Sequence, residues 1–342
     1  MRESLRRLAS EDGTMPRHVN GSVKVDLLNG ETINIVVQRK ATGADLLDLI
    51  CDNLDLIEKD YFGLLHTQRG DPRVWVDLHK RVSKTFRNEP WEVRFAVKFY
   101  PPEPSELRDD VTRYQLSLAI RQDVVEGRLA CSTITYALLA SYILQAEMGD
   151  RGGRVNAALL TAHNAIPLDV LTPDLEDKID ELYRKHKGQT PAEAELSYLE
   201  NAKRLPLYGA DRHTVKDSDD VDICLAICAH GVSVMRDGML MNRFPWAMIL
   251  KISYNKRVFA LRLRASECDE FESAVQFRTA ASRHSRRLWR SAVEHHIFYR
   301  RSEPVKVSRI SGFPRLGSRR LSCRRTLRQL RDPGPMEISA RA

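Results

Sequence analysis

The sequence predicts an α+β chain of several domains. A strand-and-helix unit comes first, a helical unit second, and a strand-rich unit closed by one helix third. Two observations predict this. Hydrophobic spacing changes period along the chain: residues 22–100 mix alternation with one helical stretch, 105–205 keep helical spacing, and 207–300 return to alternation before a last helix. The length of 342 residues also exceeds that of one ordinary domain.

The charge belongs to none of these units. The chain carries 54 Lys and Arg against 46 Asp and Glu, a formal +8. Residues 1–300 hold 43 of each sign, whereas residues 301–342 hold 11 basic and 3 acidic side chains. A uniformly basic nucleic-acid-binding fold does not have this distribution. The tail also lacks the pattern of interleaved aromatics that stacks on bases, so no nucleic-acid partner is expected.

Residues 1–21 are polar and aperiodic, a flexible lead with no apolar stretch of the signal-peptide kind. In residues 22–101, Val23, Val25 and Leu27 alternate, Asn29-Gly30 reads as a two-residue hairpin turn, and Ile33, Ile35 and Val37 alternate again. Thr42 with Asp45 forms a helix start, followed by Leu46, Leu47, Ile50, Cys51 and Leu54 at helical spacing. Val74 to Val76 and Trp91 to Tyr100 read as strands, with Val93, Phe95, Val97 and Phe99 inward. Hairpin, helix, then strands is the order of a ubiquitin-like roll. Pro101-Pro102 and Pro104 close it as a stiff linker.

Residues 102–206 read as a helical bundle. Val111 to Glu126 is one helix, ended by Gly127; the uncharged stretch Leu129 to Ala146 is a buried helix stopped by Gly149. Its Ser, Thr and Gln side chains make it too polar for a membrane span. Residues 151–170 suggest no element. Leu175, Ile179 and Leu182 mark a charged helix. Thr190-Pro191-Ala192-Glu193 starts another, with Leu196, Leu199, Ala202 and Leu205 as its buried face.

Residues 207–301 switch to strands: Ile223 to Ala229, Val232 to Val234 and Met239 to Met241 about Asp237-Gly238, Ile249 to Tyr254 and Val258 to Leu263 about Asn255-Lys256, and Ala274 to Phe277. Ser282 to Tyr299 is a single helix with Leu288, Ala292, Val293 and His296 inward and Glu294 and His295 solvated. This is the order of a pleckstrin- or phosphotyrosine-binding-like sandwich. Residues 302–342, dense in Arg with no apolar period, read as mostly disordered.

Nothing in the chain proposes an enzyme. Phosphate-cradling glycine loops, paired-histidine metalloprotease motifs and a Cys-x5-Arg are all missing from the sequence. Cys51, Cys131, Cys224, Cys228, Cys268 and Cys323 are irregularly spaced and read as reduced thiols. His295 and His296 point about 100° apart on a helix, a poor metal pair. Asp217, Asp219, Asp220 and Asp222 lack calcium-loop spacing and read as a solvated turn. No metal or cofactor is expected, and the chain reads as soluble and cytoplasmic.

Several strings in order resemble the FERM domain of the band 4.1 family: Leu56-Ile57-Glu58-Lys59-Asp60-Tyr61-Phe62-Gly63-Leu64, Trp75-Val76-Asp77-Leu78-His79-Lys80, Phe95 to Pro101, Leu116 to Gly127, Thr190 to Asn201, Tyr208-Gly209, Asn242-Arg243-Phe244, Leu250 to Tyr254 and Glu294-His295-His296. Gly317 to Thr326 is similar to part of the family's FERM-adjacent segment, and Ser322, after Arg319 and Arg320, to a phosphosite there. Residues 151–172 depart from the pattern, and nothing resembles a spectrin–actin-binding region.

The resemblance implies a three-lobed cloverleaf: a ubiquitin-like roll, an acyl-CoA-binding-protein-like helical bundle, and a PH/PTB-like sandwich with a C-terminal helix. It implies a non-enzymatic membrane–cytoskeleton adaptor at the inner face of the plasma membrane, in the cell cortex. Its partners would be cytoplasmic tails of transmembrane proteins, MAGUK-type scaffold proteins, anionic phospholipid including phosphoinositide, and calmodulin. Glu58, Asp60 and Tyr61 would contact a membrane-protein tail. A second peptide would add beside Lys251, Ser253 and Tyr254, against Arg286 and Arg290 of the last helix. Arg283 and Arg287 share that face. Lys203 and Arg204 would meet calmodulin or lipid. In the tail, Arg319, Arg320, Arg324 and Arg325 would meet anionic lipid, and phosphorylation of Ser322 would weaken that contact. The alternative is the targeting module of a truncated larger signalling protein, such as a FERM tyrosine phosphatase, whose catalytic domain would need roughly a further 250 residues.

Overall fold

The computed structural model describes residues 20–68, 71–150, 153–264 and 273–300. The predicted lead and basic tail, including Ser322 and its neighbouring arginines, lie outside the described residues, as do Cys268 and Cys323. The fold divides into two compact units. Among the described residues, one is drawn from 20–56 and Gly63–Ala96, the other from Ile57–Phe62 and 97–300.

In the first unit, β1 (Asn20–Asp26) and β2 (Thr32–Gln38) pair antiparallel, with Val23 opposite Ile35 and Val25 opposite Ile33. Their loop differs from the two-residue turn expected of Asn29-Gly30. Leu27 N–H bonds Glu31 O, and Gly30 N–H bonds Leu27 O. The loop therefore spans residues 28–30, and Gly30 alone takes the left-handed conformation, at φ +84°. Asn29 instead uses its carboxamide oxygen to accept from Glu31 N–H.

Helix α1 (Gly43–Asn53) begins in the expected capping box: Thr42 accepts from Asp45 N–H, and Asp45 from Thr42 N–H at 2.8 Å. Leu46, Leu47, Ile50 and Cys51 form its buried face. At Gly43 a side chain would meet the Asp77 carbonyl at 2.8 Å. Strands β3 (Phe62–Gln68) and β4 (Asp71–Trp75), the short α2 (Val82–Thr85) and β5 (Glu92–Val97) complete the roll. The sheet order is β2-β1-β5-β3-β4, with β5 parallel to β1, and Val93, Phe95 and Val97 face its core.

The second unit starts with helices α3 (Asp110–Val125), α4 (Thr133–Met148), α5 (Ala157–Ala162), α6 (Pro173–Lys185) and α7 (Pro191–Ala202). Ser132 caps α4 at its start and Gly149, at φ +61°, at its end. Helix α5 occupies the stretch for which the sequence suggested no element; Asn156 caps its six residues. Helix α7 has the expected Thr190/Glu193 capping box. Its buried face is Ala194, Tyr198, Leu199 and Ala202, however, and Leu196 and Leu205 are only half-buried.

The strand-rich part comprises β6 (Asp211–Lys216), β7 (Asp222–Cys228), β8 (Gly231–Arg236), β9 (Met239–Pro245), β10 (Ile249–Asn255), β11 (Val258–Leu263) and β12 (Ser273–Arg278), followed by α8 (Ser282–Arg300). Strand order is β10-β11-β12-β6-β7-β8-β9, so β10 and β9 are edges. Leu225, Ile227, Val232, Phe244, Phe259 and Leu261 form the core, which Leu288 and Ala292 of α8 close.

Two expectations about α8 are corrected. Its inward stripe runs Ser285, Leu288, Ser291, Ala292, His295 and Phe298, so His295 is interior and His296 only half-buried. Glu294 is not solvated either; it pairs with Lys98 at 2.7 Å. The acidic turn behaves as expected: Asp217 accepts from the N–H groups of Asp219 and Val221.

The proline segment is threaded through this unit. Phe99 stacks on Phe298 with ring centroids 4.2 Å apart, and Tyr299 donates to the Tyr100 carbonyl. Tyr100 in turn donates to Asp123, and Tyr208 to the Pro101 carbonyl. Gly209 (φ +60°) lies so close that a Cβ there would sit 2.3 Å from that of Tyr100.

Candidate interaction surfaces

The Leu56–Tyr61 string turns largely inward. Leu56 is core, as expected. Glu58 accepts from Asp109 N–H at 3.3 Å, and Asp109 accepts from Ile57 N–H and caps α3 by accepting from Val111 N–H. Burial pushes the Glu58 carboxyl up, against the backbone bond that holds it charged. Tyr61 is 2 % exposed, its ring edge-to-face with Phe298 at 5.6 Å between centroids. Its carbonyl accepts from the N–H groups of Lys98 and Phe99. Glu58 and Tyr61 are thus interior side chains and not surface anchors. Asp60 is half-buried, and Ile57, 78 % exposed, is the side chain this string shows to solvent.

The second candidate surface is the β10 edge beside α8. Lys251 and Tyr254 are exposed and Ser253 half-buried. Helix α8 packs on β10 and β11. Trp289 donates its indole N–H to the Ile252 carbonyl at 3.1 Å, and its ring lies 5.4 Å from that of Tyr254. Sequence reasoning passed over Trp289; a lone tryptophan on an Arg-rich helix stretch was the available signal. Arg283 and Arg286 are exposed, whereas Arg287 and Arg290 are half-buried. Arg290 donates to Glu294 at 3.1 Å, so it braces the helix. Burial opposes the charge on Glu294, but Lys98 and Arg290 outweigh it and hold the carboxyl below its usual range.

The cations at the end of α7 part company. Lys203 is clamped between Glu103 and Glu200, at 2.6 and 2.5 Å. These hydrogen bonds raise its pKa and neutralise it locally. Arg204 is exposed. Arg319, Arg320, Arg324, Arg325 and Ser322 lie outside the described residues.

Cys51 is buried, and Cys131, Cys224 and Cys228 are half-buried free thiols. Burial lifts the Cys131 thiol to about 11, far from a reactive thiolate. Among the described residues, no group of His, Cys, Asp and Glu could hold a metal ion, and no helix is long and apolar enough to cross a membrane.

Family comparisons agree with these three parts. The FERM N-terminal domain matches residues 25–88, the FERM central domain 102–213, and the FERM C-terminal PH-like domain 217–307. The chain is 50 % identical over 297 residues to "Protein 4.1 homolog" of Drosophila melanogaster, covering 86 % of this chain and 17 % of that protein. It is 44 % identical over 309 residues to human "Band 4.1-like protein 2", covering 90 % and 30 % respectively. The chain therefore spans less than a third of the length of these relatives. In fold it is similar to the FERM and C-terminal domain complex of Drosophila Merlin, with TM-score 0.73 and 24 % identity over 82 % of this chain and 96 % of that one. With all three parts matched in order, and strong identity to protein 4.1 relatives along most of its length, the chain belongs to the band 4.1 family and carries its FERM domain.

Proposed function

We propose that this FERM domain is a non-enzymatic adaptor that links membrane-protein tails to the cortical cytoskeleton, with anionic lipid as a second contact. The observation that carries the reading is the β10 edge. It is a sheet edge flanked by a helix, and Lys251, Lys256, Arg283 and Arg286 are exposed around it. Residues 249–258 and 282–293 contain no carboxylate. An extended acidic segment can add there by main-chain hydrogen bonds. Arg204 and the basic tail supply charge toward anionic phospholipid at the inner face of the plasma membrane. Exposed Ile57 and half-buried Asp60 offer a smaller second contact for a tail. MAGUK-type scaffolds and calmodulin are partners on family resemblance, with Lys203 a weak element of any calmodulin contact because of its glutamate clamp.

The test is a pulldown with cytoplasmic peptides of transmembrane proteins, run beside sedimentation with phosphoinositide vesicles. Binding in both assays is expected, and the charge reversals K251E and R286E should abolish peptide capture. Folded protein that binds in neither assay overturns the adaptor reading.

A further inference from the structure

Strand pairing shows which main-chain groups β10 offers to a ligand. Asn255 pairs with Val258 across the two-residue turn Lys256-Arg257, and Ser253 and Lys251 pair with Ala260 and Arg262. Antiparallel pairs alternate, so these three residues bond to β11, and Ile252 and Tyr254 point their N–H and C=O groups to the free edge. The Ile252 carbonyl is already taken, by the Trp289 indole at 3.1 Å. Tyr254 holds the indole from the side. An incoming antiparallel strand would therefore find both groups of Tyr254 available, but only the N–H of Ile252.

Resting on the adaptor reading of this edge, we propose that Trp289 sets its specificity: the ligand is an acidic extended segment with a proline opposite Ile252. An ordinary residue there would bury an N–H with no acceptor, a costly arrangement. Proline has no N–H to satisfy, and its carbonyl still accepts from Ile252 N–H. Acidic flanks follow from Lys251, Lys256, Arg283 and Arg286, which no neighbouring carboxylate on β10 or the first turns of α8 offsets. The indole stands in for the missing donor, and so converts a general sheet edge into a selective one.

The test uses the full chain and fluorescein-labelled peptides of alternating Glu and Val, with a single proline moved through each position. Fluorescence anisotropy is read for the wild type and for Trp289→Phe, which keeps a ring against Tyr254 but frees the Ile252 carbonyl. Thermal melts confirm that the variant folds. The wild type should prefer one proline position about tenfold over alanine at that position, which is about 1.4 kcal/mol. Trp289→Phe should lose the preference and bind the proline-free peptide about tenfold more tightly. Binding with no proline preference in the wild type, as when the carbonyl serves both donors, overturns the inference alone. The same preference in both proteins does so too. If no peptide binds either protein, and the tail-peptide pulldown also fails, the adaptor reading falls with it.

Discussion

His295 is 1 % exposed, with Nδ1–H donating to the Ser291 carbonyl at 2.8 Å and the Phe99 ring against its edge; its Nε2 has no partner among the described residues. Burial lowers its pKa to about 4, against partial compensation from Asp211. Lys98 and Glu294 are the other charges facing it. In the unfolded chain a histidine titrates near 6.5. The unfolded state thus binds more protons between about pH 6.5 and 4, and stability falls as pH drops through that window. The loss is on the order of 3 kcal/mol. Asp211 adds to it with the same sign further down. Burial opposes its charge, but His213 and the Ser291 hydroxyl outweigh that and hold its carboxyl well below the usual range. Urea midpoints measured from pH 7.5 to 5 should fall steadily in the wild type and more shallowly in His295→Gln. Parallel slopes would refute the assignment. The Lys98–Glu294 pair offers a second single-residue test. Lys98→Met leaves the half-buried Glu294 with Arg290 as its one cationic partner among the described residues, and should cost about 3 kcal/mol of unfolding free energy. Adding Glu294→Leu should recover much of it. At this scale, local devices were legible. Both capping boxes close within four residues, so the spacing of Thr42 with Asp45, and of Thr190 with Glu193, carried all the information. Choosing His295 over His296 was not legible, because it depends on a 100° phase that Ser285 and Ser291 disguise by being polar and buried.

At the scale of elements, α8 joins the sandwich core to the proline segment. Leu288 is fully buried in that core, and Phe298 stacks on Phe99. Leu288→Ala should cost about 2–5 kcal/mol through lost burial and the cavity left behind. Denaturant melts would show the midpoint shift; a change under 1 kcal/mol would mean the helix is not held by its core face. Thr190→Ala should cost only about 1 kcal/mol, since it removes one cap from α7. Strand β6 explains why one element escaped the sequence. Its inward face reads Asp211, His213, Val215, so the alternation that marks a strand has one apolar member. The polar pair is tolerated because His213 donates to Asp211 at 3.1 Å and Ser291 of α8 donates to the same oxygen at 2.6 Å. The Ser291 half of that compensation comes from 80 residues away and leaves no local trace. Strands β7 and β11 were legible because Ile223, Leu225 and Ile227, and Phe259, Leu261 and Leu263, alternate into the shared core.

For the whole molecule, the decisive feature is that the entire net charge lies in residues 301–342. Residues 1–300 are balanced at 43 and 43, while residues 301–342 carry 11 basic and 3 acidic side chains. Within the described residues, several cations are already committed: Lys203 to Glu103 and Glu200, Arg121 to Glu147, and Lys98 to Glu294. Pairs like these add little long-range attraction toward an anionic surface. Vesicle binding should therefore depend mainly on the tail, where each Lys or Arg near the membrane is worth on the order of 1 kcal/mol. Replacing Arg319, Arg320, Arg324 and Arg325 together with Gln should lower binding to phosphatidylserine vesicles severalfold and flatten its salt dependence. A phosphate on Ser322 adds nearly two negative charges among the same arginines and should act in the same direction. Sedimentation from low to physiological salt reads both effects. An unchanged slope in the quadruple variant would move the lipid contact onto the folded body. There Arg204 and the cations around β10 are among the exposed candidates, and at β10 the peptide edge and the membrane would compete for the same charges.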